Sequence, residues 1–274
     1  MAQTYVQLLS QYHVEVADCL DFAKALPQAS LDLIYLDPPY FTGKQFNQRP
    51  GAGAGEARAS GFDDRWRGGR QEYLAFLAPR LAAVRTCLKP QGVFLLHLDW
   101  HVVHYAKVLC DELFGEDAFQ NELIWYYQTG GASARRFSRK HDTILFYAVG
   151  PDYYFNGQAV AIPRTPKALH RARHNGARIA LTDTLKNPDD VITIPALNPM
   201  ALERNGYPTQ KPVALLDCLL RALCPQGGAV GDLFCGSGTT LVAARRLGLH
   251  AVGCDISPAA VDLARGRLAA AAET

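Results

Sequence analysis

Short apolar runs alternate with longer stretches of helical periodicity in the first half of the chain. The apolar run at residues 31–36 ends at Asp37 and that at residues 92–97 ends near Asp99, as in strands that are buried on both faces of a sheet. Residues 72–88, between them, predict a helix that is terminated by the Lys-Pro-Gln-Gly stop signal of residues 89–92. This alternation predicts βαβ units, and therefore an α/β fold with a largely parallel, doubly wound sheet.

Further strands are predicted at residues 14–16, 229–234 and 251–254, where apolar residues again precede an Asp. The segments 122–127 and 143–149 are rich in aromatic and β-branched residues, and we expect them to form an antiparallel edge of the sheet.

Two polar loops follow strands that are distant in sequence. Asp37-Pro38-Pro39-Tyr40 comes after residues 31–36, and a loop with glycines at 236 and 238 comes after residues 229–234. Ligands of open parallel sheets bind outside the carboxyl ends of the strands. The two loops are therefore expected to form opposite walls of one pocket.

The glycine loop taken alone is weak evidence, because a Gly-x-Gly after a strand also occurs in simple tight turns. Asp255 strengthens it. This residue follows the next predicted strand, roughly twenty residues beyond the glycines, where an acidic side chain accepts hydrogen bonds from ribose hydroxyls. The combination favours a cofactor site.

Three motifs together carry a family resemblance: Asp37 to Tyr40, Asp232 to Thr240, and Tyr207-Pro208-Thr209-Gln210-Lys211-Pro212. In order and spacing they resemble the S-adenosylmethionine-dependent DNA amino-methyltransferases of prokaryotes, in the permuted subgroup called the beta class. The resemblance covers most of the chain outside residues 43–60 and 151–205. It implies a Rossmann-like methyltransferase fold and S-adenosylmethionine as cofactor.

The resemblance also implies which residues contact that cofactor. Asp18 has an alternative role as a helix N-cap, and Lys211 as a solvated lysine at a helix start. The implied cofactor contacts are Asp18, Thr209, Lys211, Asp232, Phe234, Gly236, Gly238, Thr239 and Asp255.

The Asp-Pro-Pro-Tyr element suits an exocyclic amino group, whose lone pair is delocalised into the base. If the Asp37 carboxylate and the Pro38 carbonyl each accept one N–H, the nitrogen is drawn toward tetrahedral geometry. Pro38 and Pro39 hold these acceptors rigidly, and Tyr40 offers a face to a base taken out of the duplex. Asp37, Pro38, Pro39 and Tyr40 are thus the predicted catalytic residues. The alternative is a Pro-Pro turn capped by Asp.

Asp at the first position of this element more often accompanies N6-adenine than N4-cytosine methylation in the family. Adenine N6 is therefore the predicted target, and cytosine N4 the alternative. An RNA methyltransferase and a non-catalytic nucleic-acid-binding protein are the remaining alternatives. The resemblance further suggests a homodimer, and a cognate restriction nuclease is a conceivable partner.

Charge gives little global evidence of a nucleic-acid partner, since the formal net charge is only +2. Two local basic clusters are better candidates for contacts with double-stranded DNA. The first is expected to neutralise phosphates, and the second to contact bases as well. The clusters are Arg135, Arg136, Arg139 and Lys140, and Arg164, Lys167, Arg171 and Arg173.

These features divide the chain into a catalytic domain, residues 1–150 and 207–274, and a target-recognition region, residues 151–206. Within the catalytic domain, the glycine-rich residues 43–70 are expected to be a mobile loop, either a disordered insertion or a lid over the substrate. Residues 62–66 would supply its aromatic anchor.

Seven scattered cysteines without Cys-x-x-Cys spacing favour a reduced cytoplasmic compartment. No apolar run has the length of a membrane span, so we expect no membrane partner. His97, Asp99, His101 and His104 lie close together, but no Cys or Glu completes a metal shell, and we expect no metal site.

Overall fold

A computed structural model describes residues 12–47, 61–129, 132–174, 184–198 and 200–271. Its main sheet has eight strands, of which only the strand His141–Ala148 runs antiparallel to its neighbours. The predicted α/β fold with a largely parallel sheet is confirmed. In spatial order the strands are β1 (His13–Val16), β12 (His250–Asp255), β11 (Ala229–Asp232), β2 (Leu31–Leu36), β5 (Leu88–Leu98), β7 (His141–Ala148), β6 (Phe119–Tyr126) and β10 (Val191–Thr193).

The centre of this sheet fixes the position of the two predicted loops. β2 and β11 are neighbouring parallel strands, with Leu33 opposite Val230 and Ile34 opposite Gly231. The loop after β2 and the loop after β11 therefore leave the sheet side by side at the same edge, although almost two hundred residues separate them in the chain.

Helices cover both faces of the sheet, because side chains along each central strand alternate between two apolar clusters. In β2, Leu33 and Tyr35 pack in one cluster, while Ile34 and Leu36 pack in the other. The helices are α1 (Cys19–Ala25), α2 (Gly69–Cys87), α3 (Val103–Phe114), α4 (Pro166–His174), α5 (Val213–Leu223), α6 (Thr239–Arg246) and α7 (Pro258–Ala270). Residues of α1, α2 and α3 lie in the second cluster, and residues of α5, α6 and α7 in the first.

Two details of the sequence prediction are wrong. α2 ends at Cys87, just before the predicted stop signal, but β5 starts at Leu88 and not at residue 92, and the strand register is irregular between the Leu31–Leu88 and Leu33–Val93 pairs. The additional residues are accommodated by that irregularity. The antiparallel pair of β6 and β7 exists but is not the edge of the sheet, because β10 adds outside β6.

The described parts of the two predicted insertions contain regular structure. β3 (Gln45–Asn47) and β4 (Gly61–Asp63) form an antiparallel pair, and α2 begins at Gly69, so the ends of the predicted mobile loop belong to ordered elements; its residues 48–60 lie outside the described residues. In the predicted recognition region, β8 (Ile162–Pro163) pairs with β9 (Leu185–Lys186), and β10 joins the main sheet.

All seven cysteines are free. Within the described ranges, no helix combines the length and the apolar character needed to cross a membrane.

Candidate active site

One pocket at the carboxyl edge of the sheet is lined by both predicted loops. Its empty volume is about 1050 Å³, part of it open to solvent. Most of its walls come from five segments: the end of β1, the loop after β2, the loop after β11, the end of β12 and the segment just before α5. The predicted site residues among its lining are Asp18, Asp37, Pro38, Pro39, Tyr40, Thr209, Lys211, Asp232, Phe234, Gly236, Thr239 and Asp255.

Asp37 stands at the point where β2 ends, and both of its carboxylate oxygens are held. The Tyr40 hydroxyl donates to Oδ1 at 2.5 Å, and the Lys211 ammonium group donates to Oδ2. Since each carboxylate oxygen has two acceptor positions, one on each oxygen stays available. The ion pair with Lys211 is mostly buried, which keeps solvent from screening it.

Lys211 is predicted from the sequence to hold the amino-acid end of the cofactor or to be a solvated lysine at a helix start. The structure excludes the solvated alternative, since Lys211 is only 8% exposed. Its ammonium group binds Asp37 and lies 5.0 Å from the centre of the Tyr40 ring. Lys211 thus joins the segment before α5 to the loop after β2.

Tyr40 packs on a polar network below the pocket. Its ring lies 5.8 Å from that of His97, whose Nδ1 is 2.6 Å from the Tyr35 hydroxyl and whose Nε2 is 3.4 Å from the Asp142 carboxylate. Burial, and then the nearby Asp37 carboxylate, raise the pKa of Tyr40. Tyr40 therefore stays protonated, and its hydroxyl group donates a hydrogen bond to Asp37.

The residues that follow Tyr40 are held by Asp64, a fully buried carboxylate. Its oxygens accept hydrogen bonds from the Phe41 amide at 2.8 Å and from the amide and hydroxyl of Thr42, both at 2.7 Å. The indole N–H of Trp66 donates to it as well, at 3.0 Å. Phe41 has a φ of +61°, a strained value for a residue with a side chain. Asp64 thus stabilises an unfavourable backbone turn directly beside the Asp-Pro-Pro-Tyr element.

The glycine loop turns sharply between β11 and α6. Gly236 and Gly238 have φ values of +48° and +76°, which residues with a Cβ rarely adopt. A Cβ on Gly236 would meet the Tyr207 ring at 2.9 Å, and one on Gly238 would meet the Cβ of Ala264 at 2.7 Å. Gly238 is the N-cap of α6 and, unlike Gly236, does not line the pocket.

Three carboxylates of the predicted cofactor contacts line the pocket. Asp255 accepts from the Gly236 amide at 2.9 Å and from the Ser257 amide at 2.9 Å. Asp232 accepts from the Phe234 amide at 3.2 Å, and burial raises its pKa to about 7 although hydrogen bonds from Thr240 and Phe234 act in the opposite direction. Burial also raises the pKa of Asp255. The third is Asp18.

Asp18 is the N-cap of α1, as its alternative role predicts. Its Oδ1 accepts from the Leu20 amide at 2.8 Å, and its Oδ2 is 2.6 Å from Arg80. Arg80 in turn lies 3.7 Å from the centre of the Phe76 ring, and Phe76 packs 6.3 Å from Phe234 of the glycine loop. Capping does not withdraw Asp18 from the pocket, which it still lines.

The predicted nucleic-acid contacts lie outside this pocket. Arg135, Arg136 and Arg139 are exposed between β6 and β7, and Lys140 donates to the Gln128 carbonyl at 3.0 Å. Arg164 follows β8, and Lys167 is exposed on α4. Arg171 and Arg173 are also on α4, but their side chains lie outside the described part of the structure.

Sequence reasoning missed several residues of the site: Asp64, Arg80, Asp142 and Tyr207 as contacts, and His97 beneath Tyr40. Asp64 offered one signal, an acidic residue beside aromatic ones in an otherwise polar segment. For metal binding, the described residues contain no group of three or more His, Cys, Asp or Glu side chains arranged to hold an ion.

Comparison with known proteins identifies the family. The family model described as DNA methylase matches residues 31–266. The type II methyltransferase M.ScaI of Streptomyces caespitosus is 29% identical, with 96% of this chain and 82% of the relative covered. The DNA adenine methyltransferase YhdJ of Escherichia coli K12 is 27% identical, with 92% and 80% covered.

Solved structures share the fold. The putative DNA modification methylase TTHA0409 of Thermus thermophilus, in complex with S-adenosyl-L-methionine, superposes with a TM-score of 0.62 at 22% identity, covering 95% of this chain and 94% of that one. The cytosine-N4-specific PvuII DNA methyltransferase superposes with a TM-score of 0.65 at 16% identity, covering 93% and 85%. Taken with the family match across both loops of the pocket, these findings show that the chain belongs to the DNA amino-methyltransferases of the N6-adenine and N4-cytosine family.

Proposed function

We propose that this enzyme transfers a methyl group from S-adenosylmethionine to the N6 amino group of an adenine that has been flipped out of double-stranded DNA. The observation that carries the proposal is that Asp37 and the glycine loop line one pocket. An acceptor for amino protons therefore stands beside a site for the methyl donor. Asp37 and the relative that is named as an adenine methyltransferase favour adenine over the alternative, cytosine N4.

The residues of the pocket fit this cofactor by their chemistry. Carboxylates at 18, 232 and 255 suit the ribose hydroxyls, the adenine amino group and the ammonium group, while Phe234 and Phe76 supply apolar surface. When bound, the cofactor supplies a methyl group on a positively charged sulfur. The residues proposed to hold it are Asp18, Thr209, Lys211, Asp232, Phe234, Gly236, Gly238, Thr239 and Asp255.

Asp37 has the central role. The Tyr40 hydroxyl and Lys211 leave one acceptor position free on each carboxylate oxygen, so Asp37 can accept an amino N–H without losing either partner. Together with the Pro38 carbonyl, it draws the nitrogen toward tetrahedral geometry and directs the lone pair into the pocket. Both Asp37 oxygens already accept hydrogen bonds, from Tyr40 and Lys211, which supports a role as hydrogen-bond acceptor before any role as proton carrier.

Tyr40 and the prolines orient the base. The hydrogen bond from Tyr40 to Asp37 fixes the ring beside the acceptor, so a base that stacks on this ring would bring its amino group to Asp37. Asp64 would act as a positioning residue by holding Phe41 and Thr42.

Contacts with DNA are assigned to the basic clusters. The exposed Arg135, Arg136 and Arg139, with Lys140, would contact phosphates near the pocket. Arg164, Lys167, Arg171 and Arg173 would contact the target from residues 151–206, proposed as the recognition region beside a catalytic domain of residues 1–150 and 207–274. We further propose a cytoplasmic homodimer, with a restriction nuclease of the same specificity as its partner.

The proposal is tested by expressing the protein in a host strain without DNA methylation of its own and sequencing the host DNA for modified bases. We expect N6-methyladenine in one sequence context, and none with Asp37→Ala. If N4-methylcytosine were found instead, the target would be cytosine N4 and not adenine N6. Unmodified DNA in cells that contain folded protein able to bind S-adenosylmethionine would contradict DNA methylation, and transfer to RNA would then be measured.

A further inference from the structure

Two exposed arginines lie over exposed aromatic rings. The guanidinium carbon of Arg139 is 3.3 Å from the centre of the Trp100 ring, and that of Arg70 is 3.6 Å from the centre of the Tyr105 ring. The rings themselves reach solvent, with Trp100 42% exposed and Tyr105 43% exposed. Each stack is therefore a surface feature and not part of the core.

Two other stacked arginines differ from these two: Arg245, 4.7 Å from the centre of the Tyr12 ring, also lacks a carboxylate partner among the described residues but is only half-exposed, and Arg80 is paired. Arg80 lies on Phe76 and also pairs with the Asp18 carboxylate, so its charge is neutralised within the fold. By contrast, neither Arg70 nor Arg139 forms an ion pair with a carboxylate of the described residues. Both of these arginines are exposed, and their charges are left for a partner.

Both stacks are attached to residues that contact the catalytic loop. Trp100 is three residues beyond His97, on which Tyr40 packs. Arg70 lies at the start of α2, six residues beyond Asp64, which binds Phe41 and Thr42. The two arginines thus come from different elements, the segment before β7 and the start of α2, yet they meet aromatic residues that are close in sequence, Trp100 just before α3 and Tyr105 in its first turn.

The chemistry of the arrangement indicates an anion that offers two oxygens to one guanidinium group. Stacking on a ring restricts the long arginine side chain, which lowers the entropy cost of fixing it on binding. The N–H groups at the edge of the guanidinium plane remain free for a bidentate contact with phosphate. Trp100 already contacts His101, with ring centres 3.7 Å apart, besides Arg139, so its surface serves to hold side chains and offers little for stacking a base.

We propose that Arg70 and Arg139, held by Tyr105 and Trp100, form a clamp on DNA backbone phosphates that flank the flipped base. The inference rests on the proposed function, because it takes duplex DNA as the substrate. It adds Arg70 and the two aromatic residues to the DNA contacts, and gives Arg139 a defined orientation. Such contacts position the duplex over the pocket without reading its sequence.

The clamp is tested by the salt dependence of binding to a duplex DNA fragment, measured by fluorescence anisotropy with the full chain. Each phosphate contact contributes about 0.9 to the slope of log affinity against log salt concentration. We expect Arg70→Ala and Arg139→Ala each to lower the slope by about one, and the double variant by about two. Arg221→Ala is the matched control, because Arg221 is half exposed but pairs with Asp217 on α5.

A second pair of variants tests the stacking itself. Tyr105→Phe keeps a ring under Arg70 and should bind like the wild type, whereas Tyr105→Leu keeps the charge but removes the ring and should weaken binding several-fold. Thermal unfolding and titration with S-adenosylmethionine establish that each variant is folded with an intact pocket.

The outcomes separate the clamp from the proposed function. If the wild type binds and methylates duplex DNA, but both arginine variants keep the slope of the wild type and of Arg221→Ala, the clamp is refuted and the function stands. If the wild type shows no salt-dependent binding of duplex DNA, both are refuted. A reduced slope in both arginine variants, with the control unchanged, supports the clamp.

Discussion

The glycine loop and the catalytic loop line the same pocket, but the fold holds them in different ways. The glycine loop is fixed from within one segment of the chain: Asp255 accepts from the Gly236 amide, and Arg267 donates to the Ser237 carbonyl at 2.7 Å and to the Thr239 hydroxyl at 3.1 Å. Residues 232–267 therefore contain both the loop and most of its support.

The catalytic loop also needs a support from a remote segment of the chain. Asp64, which binds Phe41 and Thr42, is 22 or 23 residues away, much like the supports of the glycine loop, but Lys211, which binds Asp37, is 174 residues away. The difference is that one segment of the chain contains the cofactor loop and most of its support, whereas the catalytic loop is completed by a residue far outside its own segment. Changes at the glycine loop should therefore act on stability and cofactor binding, and changes at the catalytic loop on the rate of transfer.

The largest expected effect is that of Asp37→Ala on catalysis. Loss of one preorganised hydrogen-bonding group in an active site typically costs 10²- to 10³-fold in rate, and we expect at least about that loss in single-turnover methyl transfer. The affinity for S-adenosylmethionine, measured by calorimetry, should change little, because the glycine loop is untouched. Asp217→Ala, on the outer side of α5, is the control; equal rates for Asp37→Ala and this control would remove Asp37 from the mechanism.

The next largest effect is that of Gly238→Ala on the free energy of unfolding. The added Cβ would meet Ala264 at 2.7 Å, and the φ of +76° is unfavourable for alanine. Strain and overpacking together should lower the free energy of unfolding by about 3 kcal/mol in urea denaturation. Gly248→Ala is the matched control, since Gly248 has a φ of +68° with nothing within 4 Å of the added Cβ, so only the strain of about 1 to 2 kcal/mol applies. Equal losses in the two variants would contradict close packing of the glycine loop on α7.

Asp232 makes stability depend on pH. Burial raises its pKa to about 7, above the value of about 3.9 in the unfolded chain. At a pH between these two pKa values, the folded protein retains a proton on Asp232 that the unfolded chain releases. The free energy of unfolding is therefore higher at low pH, and falls as the pH rises. Relative to Asp232→Asn, the free energy of unfolding of the wild type should fall by about 2 to 3 kcal/mol from about pH 5 to about pH 7.

Urea denaturation across that range measures the effect of Asp232. Asp262→Asn, on the exposed side of α7, should show the same change of unfolding free energy with pH as the wild type. If Asp232→Asn also showed the same change with pH, the buried carboxylate would be ionised throughout the range.

The smallest effect is expected for Asp64, which touches the catalytic loop but not the reacting atoms. Asp64→Ala releases the Phe41 and Thr42 amides, and the resulting misplacement of the loop should lower kcat on the order of 10-fold, with little change in cofactor affinity. Asp64→Asn keeps one acceptor oxygen and should recover part of the rate. Glu72→Ala removes a carboxylate that binds the Gly68 amide outside the pocket, and serves as the control. An increase in the dissociation constant of the cofactor alone would contradict positioning by Asp64.

The same contrast explains how far the sequence could predict the structure. β2, β11 and the loops that follow them were predictable, because buried strands are short apolar runs and the loops have unusual glycines and prolines at fixed offsets. The place of β10 outside β6 was not predictable from the sequence. Strand pairing is decided by the tertiary structure, and residues 191–193 alone resemble any short apolar segment. The start of β5 was missed for a related reason: pairing with β2 draws Leu88 into the sheet despite Pro90 and Gly92.

Side-chain supports were the least predictable part of the site. Asp64 and Lys211 become contacts of the catalytic loop only when the chain folds, and the stack of Arg70 on Tyr105 joins two helices that are consecutive but carry no shared pattern. Charge alone predicted Arg139 as a DNA contact, but not the ring that orients it.

The central claim is that the pocket brings the methyl donor to the acceptor residues of the catalytic loop. A crystal structure of the protein with S-adenosylhomocysteine, the product of methyl transfer, tests this most directly. We expect the ligand in the pocket, with its ribose at Asp255, its adenosyl group beside Phe234 and its sulfur facing the space between Asp37 and Tyr40. A ligand bound elsewhere, or one whose sulfur faces away from Asp37, would contradict the account.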